Sequence, residues 1–230
     1  MRLLTSHVLA GVLFFVAVTS HADTVFDQSP PGTDGRVSDF TAGFVDQQAQ
    51  SFTLAADTSI ETIEAFGFYS SGLPDDYFTV RIFLDNGGGS PAINPTTDLT
   101  LLAVRVATGG NALSGANIYR YTFSLAAPLA LTAGTPYYLS IVNNTNNAER
   151  WNWSTFGGTG GDLLRWNRAS DVSAWSSGTT NLAFLLADGV TPPVSGPAPE
   201  PRVVPTLPLF GLMLMSVGVF VVGALGLRRR

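Results

Sequence analysis

The sequence predicts an all-β protein: an antiparallel β-sandwich, jelly-roll-like, with an N-terminal signal peptide before it and one C-terminal transmembrane helix after it. Three observations carry the prediction. Between positions 50 and 187, apolar residues recur at every second place over short runs, the period of a half-buried strand. Clusters of Gly, Asn, Asp and Pro separate those runs and favour turns, and no long amphipathic helical pattern lies between them. Both ends instead carry uncharged apolar stretches bordered by arginine. The chain of 230 residues divides accordingly into a signal peptide (1–22), a sandwich domain (23–190), a proline-rich linker (191–203) and a C-terminal segment (204–230).

The N-terminal segment opens with Met1-Arg2, continues as an apolar run over 8–18, and ends in Ser20-His21-Ala22, with small residues at the two positions a signal peptidase reads. A cut between Ala22 and Asp23 is expected. The apolar run is too short to span a bilayer.

Strands follow in order. Residues 50–54 form a short candidate. Residues 59–66 fit a helical turn about as well as a strand, since Ile60 and Ile63 stand three apart; the Gly-punctuated surroundings favour strand, and 65–69 form a further one. In 77–85, Phe78, Val80, Ile82 and Leu84 alternate with Thr79 and Arg81, and Asn86-Gly87-Gly88-Gly89-Ser90-Pro91 then turns the chain. In 99–106, Leu102, Val104 and Val106 form the apolar side against Ala103 and Arg105. Residues 118–125 place Tyr119, Tyr121, Phe123 and Leu125 on one face, Thr135-Pro136 introduces 137–142, and 182–187 closes the series.

Composition excludes several function classes. The chain has no cysteine, so no disulfide or thiol chemistry is present, and a domain of this size must hold by its core. Both histidines, His7 and His21, fall in the signal peptide. The mature domain therefore lacks the imidazole that Ser-His-Asp and Cys-His sites and His-ligated zinc require. All 12 basic residues are arginine. Residues 23–190 hold 7 arginines and 16 acids, a net charge of −9, which disfavours nucleic acid and anionic lipid as partners.

Three constellations could carry chemistry. Trp151, Trp153, Trp166 and Trp175 fall close together, interleaved with Asn152, Arg165, Asn167 and Arg168. Aromatic faces stack on sugars while amides and guanidiniums bond hydroxyls, so this segment is the candidate polysaccharide site; Trp151 and Trp153, two apart, suit a sandwich core equally. Asp75, Asp76, Asp85 and Asn86 beside the Gly-rich turn are a weak Ca2+ candidate, without the regular Asp-x-Asp-x-Asp-Gly spacing; otherwise no cofactor and no metal site is expected. Glu61, Glu64, Asp75, Asp76, Glu149 and Asp162 are the pool from which a glycosidase carboxylate pair would have to come. With no further catalytic motif, the expectation is a non-enzymatic protein. Gly157-Gly158-Thr159-Gly160-Gly161 lacks the lysine and preceding strand of a phosphate cradle and reads as a loop.

Prolines 192, 193, 197, 199 and 201 make the linker an extended stalk, at about 3.1 Å per residue. Residues 207–227 then carry no charge, and as a helix at about 1.5 Å per residue they reach about 31 Å, the hydrocarbon thickness of a bilayer. Arg228, Arg229 and Arg230 follow and are expected on the cytoplasmic side. This layout of Val204-Pro205-Thr206-Leu207, an uncharged helix and a terminal arginine cluster resembles the IPTL-CTERM protein-sorting domain, a relative of PEP-CTERM signals. The chain departs from the family pattern at Val204, usually isoleucine, and at 208–211, usually a tryptophan-bearing segment. The resemblance covers the C-terminal segment, and the strand-turn-aromatic run over 133–153 is loosely similar to sandwich domains found upstream of such signals. It implies a Gram-negative bacterium and an exosortase-type membrane transpeptidase that cleaves near the motif. The body would pass through the inner membrane into the periplasm and on to the cell surface or extracellular matrix, in a structural or adhesive role.

Overall fold

The structure is a computed structural model that describes residues 22–40, 46–70, 72, 76–144, 149–159 and 164–189. All of these belong to one compact unit, Met1–Thr191; the second unit, Pro192–Arg230, lies outside the described residues. So do most of the predicted signal peptide, the linker, the Val204–Leu207 motif, the helix over 207–227 and Arg228 to Arg230.

The described residues are all-β, in two antiparallel sheets. The strands are β1 (Thr24–Gln28), β2 (Pro31–Val37), β3 (Gln47–Phe52), β4 (Thr58–Tyr69), β5 (Tyr77–Leu84), β6 (Thr97–Leu102), β7 (Val104–Asn111), β8 (Asn117–Leu131), β9 (Tyr137–Asn143), β10 (Trp151–Phe156), β11 (Arg165–Arg168), β12 (Ser176–Gly178) and β13 (Phe184–Asp188). The long β4 organises the first sheet. Along one side it takes β8, which in turn takes β7; along the other, 60–65 pairs β13 and 67–69 pairs β10, with β1 and β2 outermost. The second sheet runs β12-β11-β3-β9-β5-β6.

The sheets pack face to face because their period-2 patterns each present one apolar side. Phe78, Val80 and Ile82 of β5 meet Tyr121 and Phe123 of β8, Ile60 and Ile63 of β4, and Trp151 and Trp153 of β10, all buried in one cluster. Rings meet edge to face: Phe78 lies 4.9 Å from Trp151 and 5.3 Å from Phe123. Gly67 makes room for Trp151, whose indole carbons stand 2.6 Å from where a β-carbon would be.

Two expectations need correction. The run 99–106 is not one strand. It leaves the second sheet as β6, crosses at Ala103, whose N–H donates to the Asp76 carbonyl at 2.9 Å, and enters the first sheet as β7. Its predicted apolar side is also inverted: Leu102, Val104 and Val106 are exposed, while Ala103 is buried and Arg105 half-buried. The cause is Asp76, whose carboxylate Arg105 reaches at 2.9 Å. A buried carboxylate needs a cation more than the core needs two valines. The strand favoured over 59–66 is present, but it and the separate 65–69 are one strand, β4.

Candidate functional site

Position separates the four tryptophans. Trp151 and Trp153 point inward from β10 and have 0% exposure; Trp153 Nε1 donates to the Ala183 carbonyl at 2.9 Å. A ring with no open face cannot stack on a sugar. Trp166 (on β11) and Trp175 (before β12) are half-buried and pack on Ala49, Phe83 and Tyr138, on the opposite face of the second sheet from the main core. The second sheet's thickness therefore divides the two pairs, and the four do not form one surface.

Arg168 is the centre of that outer cluster. It is 2% exposed, sandwiched over Trp175 at 4.4 Å and Phe83 at 5.3 Å from the ring centroids. Its guanidinium donates to Gln47 Oε1, to the Ile93 and Asp171 carbonyls, and to Asp171 Oδ1. Burial, with the like charge of Arg81, holds it below the usual arginine range despite Asp171. Its donors are committed to this scaffold, which pins the β11–β12 segment to the β5–β6 loop.

The acidic set is also divided. Asp76 and Asp85 flank the eight residues of β5, so nine steps at about 3.3 Å put them about 30 Å apart along the strand. They cannot share one ion; Asp75 lies outside the described residues. Asp85 closes its own turn, accepting from Gly87 N at 2.6 Å, Gly89 N at 3.3 Å and Tyr138 Oη at 2.8 Å. The tyrosine bond, then the glycine amides, hold its carboxyl below the usual range against the opposing effect of desolvation. Among the described residues no three His, Cys, Asp or Glu side chains gather as a metal cluster. Of the glycosidase pool, Glu64 accepts from Thr122 Oγ1 and pairs with Arg120 at 3.7 Å, Glu61 stands at a bulge of β4 against Gly189, and Glu149 lies beside Gly72. Asp162 lies outside the described residues.

What the fold does assemble is a polar end. There a cleft of about 460 Å³ is lined by Tyr69, Ser70, Gly72, Ala116, Asn117 and Tyr119. Of these, Tyr69 also belongs to a buried hydrogen-bonded network: its Oη donates to Asp76 Oδ1 at 3.2 Å and accepts from Asn143 Nδ2 at 2.9 Å, and Arg105 holds the same carboxylate oxygen. Arg105 also lies 5.3 Å from the Tyr119 ring centroid. Burial first, then neighbouring Tyr121 and Asp76, push the Tyr69 phenol far above its usual range; burial and Asp76 do the same to Tyr121. Both stay protonated at any physiological pH, and Tyr69 serves as a hydrogen-bonding group rather than a base. The cleft lining thus offers the Ser70 hydroxyl, the Asn117 amide and the Tyr119 phenol, neutral hydrogen-bonding groups with one aromatic ring, chemistry suited to a neutral polyhydroxyl ligand.

Of the lining and network residues the sequence marked only Asp76 as a candidate, because the lining comes from the end of β4, the loop after it and the β7–β8 turn with the start of β8, and only the topology joins them. The chain matches no family model, no curated protein and no solved structure.

Proposed function

We propose that this chain is an exported, non-enzymatic surface protein: a jelly-roll-like sandwich freed from its signal peptide between Ala22 and Asp23, carried on a proline-rich stalk, and sorted through Val204-Pro205-Thr206-Leu207 with the 207–227 helix and Arg228 to Arg230 as its temporary inner-membrane anchor. The observation that carries it is the three-part C-terminal layout. Support also comes from the ends of the sandwich. β1 pairs with β13, so residues 24 and 187 are cross-strand partners, and the segments outside the body leave from one place. An exosortase-type transpeptidase is the processing partner, and the role is structural or adhesive at the cell surface or in the matrix.

The intact mass of the mature protein from its own cells and medium tests this. A chain starting at Asp23 and ending near Val204 to Leu207 is expected. A mass that still includes 207–230 makes the helix a permanent anchor and removes the sorting proposal.

A second reading, glycan binding, is favoured by the neutral polar-aromatic lining of the cleft. It moves the sugar contact from the tryptophans to Tyr119 and Asn117. Retention on envelope polysaccharide should fall at least tenfold in Tyr119→Ala and stay unchanged in Trp175→Ala; equal retention in all three proteins removes this reading.

A further inference from the structure

The exposed edges of the two sheets are guarded, with one exception. Among the described residues β1, β2, β6, β7 and β12 each pair on one side only. An unguarded edge offers a row of backbone donors and acceptors to another strand, and charges, prolines and shortness are the usual protection. β1 carries Asp27; β2 carries Pro31, Asp34 and Arg36; β6 carries Asp98; β12 is three residues long. The part of β8 that extends beyond β7 contains Pro128.

β7 has no proline and no outward-facing charge along its straight part. From 99 to 119 the sole charged residue is Arg105, and its guanidinium is turned inward to Asp76 and Tyr119. What the strand shows to solvent is aliphatic: Val104 at 66% and Val106 at 49% exposure, next to Leu102 at 61%. Its register with β8 is regular from Val104 to Ala107 and shifts before Asn111, where Gly109 takes φ +82°. Among the described residues the outer side of this four-residue edge, Val104 to Ala107, is unpaired, and its one charge, Arg105, is turned inward.

We propose that β7 is a self-association edge, taking the β7 strand of a second copy in antiparallel pairing and so joining the first sheets of two molecules. A second copy is the occupant because antiparallel pairing of one strand with itself is two-fold symmetric and closes as a dimer. In the registers centred on Val104 or on Val106 that valine meets its own copy while Arg105 faces Ala103 or Ala107, so no like charges are opposed. Elsewhere the body, at net −9, repels a copy of itself; this edge is where that repulsion is locally absent. The pairing is short, so the dimer is weak and reversible and is best detected by trapping. The proposal is independent of how the chain is sorted.

The absence of native cysteine makes one introduced thiol an unambiguous reporter. The protein as its own cells produce it, wherever it is found, would carry Val104→Cys or Val106→Cys and be treated with a short bis-maleimide, which spans any of the symmetric registers. Val172→Cys, at a site 86% exposed on another loop, is the control. The expected result is a covalent species of twice the chain mass, at least tenfold more abundant for the β7 positions than for Val172→Cys. Adding Val106→Lys to Val104→Cys, or Val104→Lys to Val106→Cys, should return it to the control level, with unchanged circular dichroism reporting an intact fold in at least one pair. Cross-linking no greater than the control, persistence with lysine in place, or a product whose mass is that of a different protein would overturn the proposal.

Discussion

Asp85 shows how one side chain can hold a turn together and make it sensitive to acid. Its ionised carboxylate is what Tyr138 and the glycine amides bond, so the fold favours the charged form and depresses the pKa. A depressed acid contributes stability that is whole above its unfolded pKa, about 4, and is lost as pH falls through the lower folded value. The Asp85-Gly89 turn is therefore expected to loosen only under strongly acidic conditions. Tyr138→Phe removes the largest cause and should move that transition up toward pH 4. An NMR titration of the Asp85 carboxyl carbon with the Gly87 amide proton measures both midpoints, and an unmoved midpoint in the variant would contradict the assignment of cause. Tyr138 itself, pushed up by burial and then by Asp85, remains the donor throughout. The turn was legible from Asn86-Gly87-Gly88-Gly89; its partner on β9, 53 residues away, was not.

At the scale of elements, alternation identified strands where the outward residues are polar and the inward ones large. β8 and, in part, β5 meet that condition and were legible, as were the inward Phe78, Val80, Ile82, Tyr121 and Phe123, while β9 is buried along its whole length and was found as an apolar run behind Thr135-Pro136. β3 does not. Its Gln47, Gln48 and Gln50 are buried, with their amides spent on Ser140 Oγ, the Val37 carbonyl and the Leu182 N–H, and on receiving Arg165 and Arg168. Buried amides of this kind are stable because each is satisfied, and nothing local in QQAQ announces the partners. β1 and β2 were missed for a related reason, since strands with Asp27, Pro31, Gly32 and Asp34 carry the composition of turns. The inversion of β6–β7 has the same origin. A hydrophobic pattern predicts that valine goes in and arginine out, and one buried carboxylate on another strand reverses both. The candidate cleft was illegible, since each of its groups is ordinary in its own segment and only the topology brings the loop after β4 to the β7–β8 turn.

For the whole molecule, the two ends of the sandwich meet at Asp23 and Asp188. The Asp23 N–H donates to Asp188 Oδ1 at 2.9 Å, and the Asp188 N–H returns a bond to the Asp23 carbonyl at 3.1 Å. A cut between Ala22 and Asp23 would turn that backbone N–H into an α-ammonium in the same place, converting a neutral donor into an ion pair that clasps β1 to β13. Exposed pairs contribute about 0.2–1 kcal/mol and weaken with salt. The ammonium is charged only below about pH 8. Asp188→Asn keeps the hydrogen-bonding oxygen and removes the charge. In the processed chain it should lower unfolding stability by about 0.5–1 kcal/mol at low salt and neutral pH, with the difference shrinking in about 1 M salt, where the screening length is about 3 Å, and at pH 9. In a chain whose signal peptide is retained, position 23 carries no full charge, and the same substitution should cost much less. Denaturant unfolding of the four proteins measures this. An equal cost in processed and unprocessed chains would mean that Asp188 acts through its hydrogen bond alone and that the N-terminal cut adds nothing to the fold, whereas a difference confined to the processed chain would make export itself the last step in closing the sandwich.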